Sequence, residues 1–182
     1  MKHGRINELF RKLRGSPITA ARMKEIADRN GNVLVVGGGQ TIVRANADDL
    51  AGCVIHNVLA VVVQSFGVVN VRLVEPPFVF RDAFWAYTAD DRADVVWLYY
   101  WLESRLERLR RLAGAHAIPK LLPKDVDSIE IRIPDDVERR AEALLSCEVA
   151  PTPQEQDQLR EINAIYERVR EELFAKLKIK PS

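Results

Sequence analysis

The 182-residue chain is 47% hydrophobic and 29% charged with a formal net charge of +1, the make-up of a folded domain and not of a disordered or fibrous chain. Its longest apolar runs, around 58–63 and 95–101, fall well short of the roughly 20 residues of a membrane helix. The basic start Met1-Lys2-His3-Gly4-Arg5 leads into no apolar segment, so no signal peptide or membrane partner is expected and a cytoplasmic location is.

In chain order, residues 5–13 and 19–29 read as short helices, broken by Gly15-Ser16-Pro17 and ended by Asn30-Gly31. In the second, Ala20, Met23, Ile26 and Ala27 recur at helical spacing. Seven short segments rich in Val, Ile and aromatics follow: 33–36, 42–44, 53–55, 59–64, 68–74, 78–80 and 84–87. The turns Gly37-Gly38-Gly39, Ser65-Phe66-Gly67 and Glu75-Pro76-Pro77 separate them. So many short strands in succession predict a compact twisted sheet or partial barrel, not alternating β-α units.

A helix is predicted over 94–113. Val95, Leu98, Leu102, Leu106, Leu109 and Leu112 follow steps of three and four, while Glu103, Arg105, Glu107, Arg108, Arg110 and Arg111 take the opposite face. Asp94 reads as its N-cap and Gly114 as its stop. A loop at 115–120 leads through Pro123-Lys124-Asp125 to a strand, 128–133, closed by Pro134. A helix at 135–147, a break at Pro151 and Pro153, and a long helix to about 177 complete the chain. In the last helix Leu159, Ile162, Tyr166, Val169 and Leu173 are spaced 3, 4, 3 and 4, a heptad seam. That seam either pairs with another helix, most simply in a homodimer, or packs back on its own domain. The fold class expected is α+β: a compact twisted β-sheet domain with flanking helices at 1–134, then a coiled-coil-like helical segment at 135–182.

Val33-Leu34-Val35-Val36-Gly37-Gly38-Gly39 opens like a dinucleotide-binding strand and turn, but that mechanism needs a glycine where Ile42 stands and a helix after it. Residues 40–44 read as a strand, so a glycine turn joining two strands is the better reading. Gln40, Thr41, Arg44 and Asn46 are then expected at its tip, with side chains able to hydrogen-bond base edges or phosphates. Gln64 and Ser65 form a second such loop, followed by Asn70 and Arg72. Arg81 either reaches a guanine or phosphate or pairs with a nearby acid, and Lys120 joins the set from the loop after the helix. Residues 1–81 hold 11 Lys and Arg against 6 Asp and Glu, an asymmetry that suits a phosphate-facing first half or arises by chance. There is no nucleophile elbow and no His-Glu pair at metal spacing, and the carboxylate pairs Asp90-Asp91 and Asp135-Asp136 stand at helix starts. Cys53, Cys147, His3, His56 and His116 are too scattered for a disulfide framework or a zinc site, and no cofactor is expected.

The order of these pieces carries a resemblance. A glycine-turn strand pair (35–44), a strand-loop-strand (59–74), an aromatic stretch (78–85) and Trp97-Leu98-Tyr99-Tyr100-Trp101-Leu102 come in succession. Ala115-His116-Ala117-Ile118-Pro119-Lys120-Leu121 and Ile129-Glu130-Ile131-Arg132-Ile133-Pro134 follow. Over roughly 32–177 the sequence resembles the target-recognition domain and spacer helix of type I restriction–modification specificity subunits. The resemblance implies a non-catalytic protein that reads one half of a bipartite site in double-stranded DNA. It implies an adenine methyltransferase subunit as partner, with the restriction subunit as a further candidate. A complete subunit carries two recognition domains and two spacers; this sequence shows one of each, which suggests a half-subunit that homodimerises or a truncated remnant. The Pro-x-x-x-Glu-Gln signature expected after the closing strand appears only as Pro134…Glu138-Arg139, with a better match later at Pro151…Glu155-Gln156. Two other readings stay open: a helix-mediated interaction protein, such as a methyltransferase decoy, that does not bind DNA, and an enzyme using the glycine turn for a nucleotide.

Overall fold

The computed structural model describes residues 1–39, 41–114 and 120–134. Gln40, the helices expected beyond Pro134 and the seam from Leu159 to Leu173 lie outside the described residues. The described elements are strand β1 (Lys2–Arg5), the one-turn helix α1 (Ile6–Leu9), β2 (Arg11–Arg14), helix α2 (Ala20–Glu25), β3 (Val33–Val36) and β4 (Ile42–Ala45). After a 3-10 turn (Ala47–Leu50) come β5 (Ala60–Gln64), β6 (Asn70–Val74), β7 (Phe78–Phe80) and β8 (Trp85–Thr88). Helices α3 (Arg92–Glu103), α4 (Leu106–Ala113) and α5 (Pro123–Asp127) precede the last strand, β9 (Glu130–Ile133).

The class is mixed α and β, but the strands form three sheets where one was expected. β2-β8-β5-β6 make an antiparallel sheet of four, β4-β3-β7 a sheet of three, and β1-β9 a pair. In the second sheet β3 runs antiparallel to β4 and parallel to β7. Alternation along the strands explains the stacking. β3 and β7 send Val33, Val35 and Val79 to one side, where Met23 of α2, Ile26 just after it, Ile18 and Leu50 cover them. To the other side they send Val36, Phe78 and Phe80, which meet Ala60, Val62, Val74 and Ala86 of the four-stranded sheet. That sheet's far face, with Val61, Val63, Val71, Trp85 and Tyr87, packs on Val95, Leu98, Leu102 and Leu109 of α3 and α4. β5 is therefore buried on both faces and its sequence is apolar without alternation. Each fully buried phenylalanine between the sheets contributes about 1.5–3 kcal/mol.

Four expectations are corrected. Residues 5–13 are not a helix: only Ile6–Leu9 turn, between two strands. Their basic residues carry no strand signal; the pairings Lys2↔Ile133 and Arg11↔Thr88 impose the extended form. Residues 53–55 are not a strand, and contact comes one residue later, where His56 exchanges backbone bonds of 2.8 and 3.0 Å with Phe78. The helix expected at 94–113 starts at Arg92, because the Asp91 carboxylate accepts the amide of Ala93 at 2.9 Å, and it breaks at Ser104, whose Oγ turns back to the Trp101 carbonyl at 2.9 Å. Asp94 is instead buried in an ion pair with Lys2. Lys120 is not in a free loop: it forms a one-residue antiparallel bridge to Phe66. Just after it Pro123 opens α5, where no amide donor is needed, and Asp125 accepts the Leu122 amide at 3.0 Å.

Candidate nucleic-acid interface

One end of the two larger sheets gathers three turns. β3 ends at Val36, whose carbonyl accepts the Arg81 amide at 3.4 Å, and Ser16 donates to Phe80 at 2.7 Å. Trp85, the first residue of β8, is paired on one side with Arg14 and on the other with Val63. The Ser65 hydroxyl donates to the Ala83 carbonyl at 2.7 Å. These bonds hold residues 37–39 and 41, 65–69 and 81–84 at a common edge. Arg72 joins the sheets there: it stands opposite Val62 on β6, and its guanidinium donates to the Gly39 carbonyl on the β3–β4 turn. Burial pulls the pKa of Arg72 down, although an arginine stays charged at neutral pH.

The glycine turn is a hairpin, as the sequence reading had it. Gly37 donates to the Thr41 carbonyl at 2.9 Å and Thr41 donates to Gly38 at 3.1 Å, while Gly39 has the positive φ that such a turn needs. No helix follows, since β4 runs straight back along β3.

The structure brings together Thr41, Asn70, Arg72, Arg81 and Lys120, but with unequal access. Thr41 and Lys120 are exposed; Asn70 is half-buried and accepts the Val71 amide at 3.0 Å. Arg81 spends its Nε on the Ile18 carbonyl at 3.1 Å. Gln64 and Ser65 are inside, 5% and 1% exposed, where Ser65 anchors the turn. The Gln64 Oε1 has no hydrogen-bond partner among the described residues.

Arg44 and Asn46 were expected at the tip of the glycine turn and lie away from it. Arg44 pairs with Leu34 and donates to Gly31 at 3.4 Å; Asn46, beyond Ala45, donates to Asp28 at 3.0 Å. At about 3.4 Å per residue, Asn46 is more than 10 Å along the hairpin from Ile42. It lines instead an open cavity of about 560 Å³ with Arg22, Glu25, Asp28, Arg29 and Asp49. Hydrogen bonds from the Asn30 amide, then from Asn46, hold the Asp28 pKa below its ordinary value. Three acids against two arginines make that end a poor phosphate site.

Sequence reasoning passed over three residues at the turn end. Arg14, exposed, closes β2 beside Trp85, but lay in a segment read as helix. Arg110 of α4 donates to the Val69 carbonyl at 3.3 Å and pairs with Glu107 at 2.5 Å. Phe66 stands exposed on the β5–β6 turn. Arg14 and Arg110, with Arg72, Arg81 and Lys120, leave the turn end cationic against Asp82 and the paired Glu107.

No family model matches the sequence, and no curated protein resembles it closely enough to count as a match. Solved structures do. The S subunit of a type I restriction–modification system from M. genitalium is 22% identical with a TM-score of 0.54, over 97% of this chain and 45% of that one. The HsdS subunit from Thermoanaerobacter tengcongensis gives 17% and 0.54, over 97% and 41%. A structure described as the basis of complex assembly and conformational transition of the type I R-M system gives 16% and 0.54, over 97% and 42%. The chain thus spans less than half the length of the proteins it matches. Its fold is the one seen in the S subunits of type I restriction–modification systems.

Proposed function

We propose that this chain is a DNA-reading module of a type I restriction–modification specificity subunit, doing no chemistry itself and directing an adenine methyltransferase subunit, and the restriction subunit with it, to a target. The observation that carries this reading is the cationic turn end on a fold shared with S subunits. Phosphates would meet Arg14, Arg72 and Lys120, and base edges would meet Thr41 and Asn70, with Gln40, outside the described residues, kept as a further candidate. Gln64 and Ser65 shape the second turn from inside and are withdrawn from the contacting set. Residues 1–134 form the recognition part of this reading and 135–182 the spacer, with Leu159, Ile162, Tyr166, Val169 and Leu173 as its pairing face.

The test is titration of the full chain with duplex DNA at several salt concentrations. Affinity is expected to fall linearly on a log–log plot, with a slope of roughly −0.9 per phosphate neutralised. Lys120→Ala should make that slope about one unit shallower and weaken binding evenly across sequences. Retention of the methyltransferase subunit without any DNA binding would favour the decoy reading and sink this one.

A further inference from the structure

Among the described residues, six large apolar side chains are well exposed, and Ile42, Phe66 and Val68 belong to the turn end. Two of them share one short turn: Phe66 is 53% exposed and Val68 66%. Gly67 between them has φ +74, a left-handed conformation that sets both neighbours outward.

Both stems of this turn are fixed. Ser65 is buried, donates to Ala83 at 2.7 Å and accepts the Leu121 amide at 2.9 Å. Val69 is buried and its carbonyl accepts from Arg110. The apolar tip is therefore held in place before any partner arrives, and little ordering entropy is lost on contact. Cations stand beside it: Lys120 bridges to Phe66 through the backbone, Arg110, which pairs with Glu107, grips the far stem, and Arg72 stands on the strand that follows and reaches Gly39 of the neighbouring hairpin. A protein partner's apolar patch would not call for those neighbouring cations. Stacked bases behind two phosphate backbones match both features.

We propose that Phe66, flanked by Val68, is an apolar wedge that enters the bound duplex between two base pairs and unstacks that step. This rests on the DNA-reading function above and adds to it a mode of readout. Because a flexible pyrimidine–purine step unstacks at least cost, the wedge selects sequence by deformability at a position no hydrogen bond reads.

The experiment uses the full chain and a duplex recovered by it from a randomised pool. Phe66→Ala is expected to bind about 5- to 150-fold more weakly, the range of about 1–3 kcal/mol per stacked base, with an unchanged salt slope. Phe66→Trp should keep the affinity. The same duplex carrying 2-aminopurine at successive positions should brighten at one step with the wild-type chain and not with Phe66→Ala. Equal affinity of Phe66→Ala and wild type would overturn the wedge and leave DNA reading intact, as would equal losses in the alanine and tryptophan variants. Loss of methyltransferase capture with DNA affinity retained would make the tip a protein contact and overturn it. Failure of the wild-type chain to bind any duplex would remove the function itself, and the wedge with it.

Discussion

Tyr87 joins β8 to α5 through one hydroxyl, and the carboxylate it meets ties in β2. The hydroxyl accepts from the Trp85 indole at 3.0 Å and donates to Asp127 of α5 at 2.6 Å, while Lys12 of β2 pairs with the other Asp127 oxygen at 2.6 Å. Burial first, and then the Asp127 bond, push the phenol's pKa far up, so it serves as a donor at every working pH. Tyr87→Phe removes that donor and leaves the Trp85 indole and half of a carboxylate without it. The variant should lose about 1–3 kcal/mol, read as a lower urea midpoint with an unchanged m value. Glu103 of α3 offers a pH test. Burial pushes its pKa up from 4.5, and Arg110 only partly offsets this. The folded chain then holds a proton that the unfolded chain releases, so this group's contribution is full below 4.5 and fades as pH rises through its folded value. Glu103→Gln should stabilise the protein at pH 8, change little at pH 4, and flatten the stability profile between them. A profile identical to wild type would remove Glu103 as the source.

At the scale of elements, the strands read best from sequence were those whose burial is two-sided. Residues 33–36, 59–64, 78–80 and 84–87 are apolar enough that sheet position alone explains them. β1 and β2 were illegible because their residues, Lys2–Arg5 and Arg11–Arg14, are mostly basic and exposed, and their partners lie more than 70 residues away. The break at Ser104 was hidden for another reason: apolar spacing runs through it unchanged, and no glycine or proline marks it. The same limits governed the candidate interface. Turn position was legible for Thr41, Asn70 and Arg72. Access was not, since nothing local distinguishes the exposed Phe66 from the buried Ser65 beside it; packing under Leu121 and Ala83 decides that. Arg44 and Asn46 were misplaced because a hairpin's direction carries its later residues away from the tip.

At the scale of the whole molecule, the proposed function would have one cationic end face a duplex with few charges: Arg14 and Lys120 are exposed there, while Arg72 is already bonded to the Gly39 carbonyl. A module neutralising so few phosphates binds weakly at physiological salt. Two copies acting together would overcome this, because the second contact then occurs at the effective concentration set by their linkage. The chain matches less than half the length of its structural neighbours, and the heptad spacing of Leu159, Ile162, Tyr166, Val169 and Leu173, outside the described residues, would supply the pairing face of such a linkage. The double substitution Ile162→Asp and Val169→Asp places two charges in that face. It should halve the mass measured by light scattering and, because each copy brings its own phosphate contacts, halve the slope of log affinity against log salt. It should also weaken binding to a palindromic split duplex far more than to a single half-site, since a two-fold pair presents the same surface twice. An unchanged mass would place the seam against its own domain, and the chain would then read DNA as one module.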